Sequence, residues 1–309
     1  MMETNTVSHV LRSHKQGFSL IEIAIVLVIV GLLATASLGI TAQVLNKQRR
    51  DTTIARLSTI ESAIILFVAQ NKFLPCPAIG TLDGTAVPPD ARLGKEQFNA
   101  SRAGCNLANQ QTGIVPWISL GLSAADAQDG WGNMFTYRVE ESLVRADSMD
   151  FTMCTPAAAP GTAIGTAPNL TCSPCSSAIF PACSSPATVT QGRGLRVKTV
   201  AGTVVAEPTP TATVPVTPST GAAYVVISHG ENQAFAYQFN GTVNVGTASS
   251  GTEESKNAPS LPYAANSATA YLVDDVINYA SSTSHFDDFV LRASILSVAS
   301  KAQLGPRAY

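Results

Sequence analysis

The side chains of this 309-residue chain that could carry chemistry include six cysteines, four histidines and, in its last sixty residues, three acidic pairs. Cys172 and Cys175 form a C-x-x-C string, the spacing of thiol redox centres. Such centres sit at a helix N-terminus, which lowers the thiol pKa. Here the string lies in a Pro/Ser-rich stretch with Cys183 close behind, so disulfide staples are expected instead. No second thiol pair or neighbouring histidine completes a four-ligand zinc set around it. Asp274-Asp275, Asp287-Asp288 and Glu253-Glu254 offer oxygen ligands that leave calcium open. None has the alternating acidic spacing of a calcium loop, and solvated or turn-capping roles are expected. His229 and His285 are isolated in sequence, and no triad assembles around them. Gly80 to Gly84 lacks the Lys-Ser/Thr ending of a phosphate loop. The expectation is no catalytic residue, no metal site and no cofactor.

A fourth kind of chemistry is a charge in the wrong solvent. Glu22 borders Ile23–Asn46, 24 residues without a charge. At about 1.5 Å per residue that run can cross a hydrocarbon core of about 30 Å. An ionised carboxylate in a membrane helix costs roughly 2.5–3.5 kcal/mol, partly relieved near a helix N-terminus. A plain anchor explains the length and leaves Glu22 without a role. A secretory signal explains Arg12 and Lys15, the apolar core Ile23–Leu33 and the small residues Ala34-Thr35-Ala36, but the helical pattern runs on past that cut. With 13% charged residues and a net charge of −2, the chain is neither a charged disordered tail nor a nucleic-acid coat.

The string Gly17-Phe18-Ser19-Leu20-Ile21-Glu22, after a basic leader and before an apolar helix, resembles the processing site of type IV pilins and type II secretion pseudopilins. The resemblance implies that a prepilin peptidase/N-methyltransferase cuts after Gly17 and methylates Phe18. It also implies that Glu22 meets the Phe18 amine of a neighbouring subunit. Two charges that are each costly in an apolar bundle then offset one another. The implied partners are other pilin or pseudopilin subunits, that peptidase and an inner-membrane assembly platform. Residues 1–17 become a cytoplasmic leader and residues 75–309 a periplasmic head. Lys47, Arg49, Arg50 and Arg56 follow the span, so basic-residue counting does not give this orientation; the cleavage signature does. Tip-type pseudopilins lack the acid, so a chain keeping Glu22 is expected in the filament body or just below the tip.

These residues need elements to position them. A helix is expected over 18–74, spanning the membrane over 18–46 and amphipathic over 47–74. Ile54, Leu57, Ile60, Ile64 and Val68 form its apolar stripe. Phe73-Leu74-Pro75-Cys76-Pro77-Ala78 stops it, because Pro75 cannot continue a helix; this string too looks like a subset of pseudopilin-like proteins. Asp129-Gly130-Trp131-Gly132-Asn133 reads as a turn anchored by Trp131, and Met134 to Val139, with Tyr137, as a strand. The segment resembles the one that opens the sheet in major pseudopilins, and its role is expected to be structural.

From Thr155 to Ala223 ten prolines and only four charges mark an irregular insertion with one hairpin, Leu195–Val200 and Gly202–Val205. Ala222–Ser228 and Ala234–Phe239 read as strands about a His229–Asn232 turn, and Phe286–Leu291 as the last strand. Cys76, Cys105, Cys154, Cys172, Cys175 and Cys183 are all disulfide candidates, and their connectivity stays open. The expected fold is α+β: a long N-terminal helix on an antiparallel sheet, with a disulfide-stapled irregular insertion. The expected function is a structural filament subunit of a type II secretion system or type IV pilus. The alternative is a minor pilin that binds a surface, an exported protein or DNA through residues 155–223. Few cations there disfavour DNA, and no nucleic-acid partner is expected.

Overall fold

The computed structural model describes residues 19–100, 104–106, 112–145, 148–149, 193–208, 221–246, 251–259, 270–279 and 285–304, with backbone alone over 33–42. The chain divides into two units, Met1–Gln48 and Arg49–Tyr309. It is a mixed α+β protein, as the sequence pattern predicts. Helix α1 spans Leu20–Asn71.

In the first unit α1 carries aliphatic side chains in every direction. Leu20, Ile21, Ile25, Leu27, Val28 and Leu32 are all exposed, Leu20 at 89%. In the second unit the helix is one-sided. Leu57, Ile60, Ile64 and Val68 are buried at three- and four-residue steps. Each such side chain contributes about 1.5–3 kcal/mol when removed from water. Ile54, assigned to the same stripe by its spacing, is 55% exposed; the buried position one step earlier belongs to Thr53. The helix ends on Lys72, at φ 63°, whose amide still donates to the Val68 carbonyl at 2.8 Å. That left-handed turn stops the helix before Pro75 is reached.

A four-stranded antiparallel sheet takes up the helix. Its strands are β1 (Thr112–Ile114), β2 (Thr136–Val139), β5 (Ala222–Ser228) and β7 (Phe289–Ser294), in the order β1-β2-β5-β7. Strand β5 is central and buried along its whole length. Its period-two alternation serves two cores: Tyr224 and Val226 face the helix side with Tyr137, Phe135 and Leu74, whereas Val225 and Ile227 join Leu195, Val197 and Leu272. The second core lies under a small mixed sheet of β4 (Val204–Ala206), β3 (Val197–Lys198) and β6 (Leu272–Val273), in which β3 and β6 run parallel. The β3–β4 pairing is the hairpin expected around residues 195–205. Helix α2 (Ile295–Lys301) follows β7 and is capped by Ser294.

Two strand expectations shift. Residues 234–239 form turns and isolated bridges rather than a strand; Tyr237 bridges both Met134 and Val243. The last strand begins at Phe289, and Phe286 bridges Asn278 instead. Glu254–Asn257 is a 3-10 turn. Cys76 and Cys105 are joined, Cα to Cα 5.5 Å. Cys154, Cys172, Cys175 and Cys183, with most of the expected insertion, lie outside the described residues.

Candidate assembly and docking sites

The processing residues Gly17 and Phe18 lie outside the described residues. Glu22 is in the first turn of α1, where its amide donates to the Ser19 carbonyl at 3.0 Å. It is exposed, and from Leu20 to Leu32 every other residue is uncharged. A helix apolar on all sides belongs in a membrane or among other apolar helices. A single carboxylate at its N-terminal end is stabilised there by the helix dipole. Leu20–Leu32 alone is a shorter apolar segment, and among the described residues the stretch long and apolar enough by composition to span a membrane is Gln43–Asn71. Its apolar face is already buried in the head through Leu57, Ile60, Ile64 and Val68, so Leu20–Leu32 is the stretch with apolar surface to spare.

The Asp129–Asn133 turn grips α1. Arg56 Nη1 donates to the carbonyls of Gln128 at 2.9 Å and Asp129 at 3.0 Å. The Gly130 amide donates to Thr53 Oγ1 at 2.9 Å. A Cβ on Gly130 would stand 2.0 Å from the Arg49 carbonyl oxygen, so only glycine permits the approach. Asp129 shapes the turn from within: Oδ1 accepts the Trp131 and Asn133 amides at 2.9 Å each, and Oδ2 accepts the Ser228 hydroxyl at 2.7 Å. Burial pushes the Asp129 carboxyl up, and these hydrogen bonds oppose it. Gly132 sits at φ +89° in the exposed corner. Asn133 Nδ2 reaches Gln233 Oε1 at 3.2 Å. Trp131 is half-buried against Phe289, ring centroids 5.9 Å apart; the deeply buried tryptophan is Trp117, 4% exposed. Tyr137 is fully buried and its hydroxyl donates to the Pro75 carbonyl at 3.1 Å, tying β2 to the segment after the helix. Sequence reasoning missed Thr53 and Arg56 as the helix side of this contact. Thr53 falls four residues before Leu57, and a polar residue continuing an apolar stripe was the available signal.

Of the acids expected to be solvated or turn-capping, Glu254 and Asp287 do accept the turn amides of Gly251 and Asn232, but they are buried rather than solvated, and the histidines isolated in sequence lie beside acids. Glu254, Asp287, Asp288 and His229 are all at most 2% exposed. His229 Nε2 lies 2.9 Å from Thr136 Oγ1, and its Nδ1 lies 3.8 Å from Asp288 Oδ1. Burial holds the imidazole neutral, its pKa down at about 3, with Arg138 adding to the effect. Burial drives Asp288 well above the carboxylate range, and the charges of Glu254 and Asp287 reinforce it. Asn257 Nδ2 donates to Asp288 Oδ2 at 2.7 Å and to the Val273 carbonyl at 3.0 Å. His285 Nε2 lies 3.7 Å from Asp287 Oδ1. Glu254, His285 and Asp287 bring one ligand atom each within 4.8 Å of one another. Chain turns and strand ends far apart in sequence make this cluster, which is why spacing did not reveal it. Asp274, by contrast, is only partly buried and pairs with Arg292 Nε at 2.6 Å.

No curated protein and no solved structure matches the chain. A family model described as the prokaryotic N-terminal methylation motif matches residues 12–38, a window that holds Gly17, Phe18 and Glu22. Together with the all-round apolar start of α1, this fits a single-pass membrane-anchored protein. Over residues 12–38 the chain therefore carries the N-terminal methylation segment consistent with type IV pilins and pseudopilins.

Proposed function

We propose that this protein is a minor pilin or pseudopilin, a structural subunit of a type IV pilus or type II secretion filament. The observation that carries the reading is the apolar, exposed start of α1 with one acid, Glu22, inside the matched methylation segment. Prepilin peptidase cleaves after Gly17 and Phe18 becomes the methylated N-terminus. The helix holds the subunit in the inner membrane, with the head of residues 75–309 on the periplasmic side, until an assembly platform passes it into the filament. There the Glu22 carboxylate meets the Phe18 ammonium of an adjacent copy in an apolar helical core, and the pair fixes the axial register. A buried carboxylate with its partner removed costs about 3–5 kcal/mol, so register selection is steep. The head contributes no chemistry in this reading; its turn at Asp129–Asn133 holds helix and sheet together.

The test is Glu22→Ala in cells carrying the assembly machinery. Cleavage of the leader is expected to proceed, and co-purification with sheared filaments is expected to fall at least tenfold. Wild-type incorporation of the variant would overturn the assembly role of Glu22.

A further inference from the structure

Glu254, His285 and Asp287 come from separate segments, the 3-10 turn and the approach to β7, and converge beneath the surface. Asp287 is 1% exposed, and its Oδ1 has no hydrogen-bond partner among the described residues. That oxygen faces His285 Nε2, which also has none, at 3.7 Å. The gap is too long for a hydrogen bond. It matches the spacing of two ligands on one small cation, since bonds of about 2.1 Å at tetrahedral angles separate donors by about 3.4 Å. Both carboxylates are already oriented. Asn232 donates its amide to Asp287 Oδ2 at 2.8 Å and its Nδ2 to Glu254 Oε1 at 2.7 Å, while the Gly251 amide donates to Glu254 Oε2 at 3.2 Å. One residue thus aims both carboxylates, in the manner of groups that orient metal ligands.

Charge argues the same way. Glu254 and Asp287 place two carboxylates together in a buried volume, where like charges repel and water does not screen them. A divalent cation cancels both charges. One imidazole nitrogen with two carboxylates is a donor set for zinc-class ions rather than for calcium, which takes oxygen.

We propose that Glu254, His285 and Asp287 form a binding site for a zinc-class divalent cation, with water completing the coordination. The ion ties the 254 turn to the segment leading into β7, through residues that the filament reading leaves without a role.

The full-length chain, purified in detergent with its disulfides oxidised and stripped of metal, is titrated with zinc chloride alone by calorimetry. One zinc per chain is expected at this site. His285→Gln and Glu254→Gln are each expected to weaken binding at least about 100-fold, and His14→Gln, in the leader, to leave it unchanged. X-ray absorption of the zinc-loaded wild type is expected to show one imidazole nitrogen among oxygen ligands, a readout that needs no variant to fold. Absence of zinc binding in the micromolar range, wild-type affinity in His285→Gln, sulfur in the zinc shell, or displacement of zinc by equimolar calcium would each overturn the proposal.

Discussion

The Thr53 hydroxyl receives the Gly130 amide at 2.9 Å and itself donates to the Arg49 carbonyl at 2.9 Å. One buried side chain therefore joins a helix turn to the loop that leads into β2. The contact lies at the first residues of the head unit, beside a backbone approach so close that a Cβ on Gly130 has no room.

Thr53→Val keeps the shape and removes the acceptor. It leaves the half-buried Gly130 amide without that partner, a change that costs about 1 kcal/mol because water can partly replace the lost acceptor. Urea unfolding of the detergent-solubilised chain, followed by tryptophan fluorescence, is expected to show a lower midpoint with an unchanged slope. Gly130→Ala is expected to cost more, because the clash is with backbone that cannot rotate away.

The Cys76–Cys105 bond closes a loop between residues 29 apart in sequence. Constraint of the unfolded chain over such a loop is worth about 3–4 kcal/mol. Replacing both cysteines with serine is expected to lower stability by that amount, read from the same urea transitions. A reductant is expected to shift the wild type in the same direction, and by more than it shifts the double variant.

Much of this was legible beforehand for a physical reason. The long helix and the Asp129–Asn133 turn are local features, set by apolar spacing and by Asp and Gly chemistry. The strand at Ala222–Ser228 is a continuous apolar run and declared itself the same way. The buried acids did not, because a sequence shows Asp287-Asp288 as charge and cannot show that the segment leading into β7 carries both inward to meet Glu254 and His229. Ala234–Phe239 alternates like a strand, yet its hydrogen bonds go to turns and single bridges, a choice made by the tertiary setting of Tyr237.

His229 gives the head a pH dependence of known sign. Its pKa falls from 6.5 to about 3 in the fold. Between those values the unfolded chain binds the proton and the folded one does not, so this contribution is present above pH 6.5 and is lost as pH falls toward 3. The slope approaches about 1.4 kcal/mol per pH unit. Glu254, Asp287 and Asp288 act oppositely: their raised pKa values favour the fold at low pH and withdraw that stability as pH rises. His229→Gln, which can still hydrogen-bond Thr136, is expected to narrow its stability gap to wild type as pH drops from 6.5, measured by urea titration at each pH. A constant gap across that range would contradict a neutral buried imidazole.

The central claim is that a processed, methylated chain end and Glu22 together build the filament contact. Intact mass spectrometry of the protein extracted from membranes of cells with the processing enzyme reads the first half directly. The expected mass is that of residues 18–309 with one added methyl group and any disulfides oxidised. A mass that retains Met1 to Gly17, or one that begins beyond the apolar stretch, as at Ser37, would contradict it.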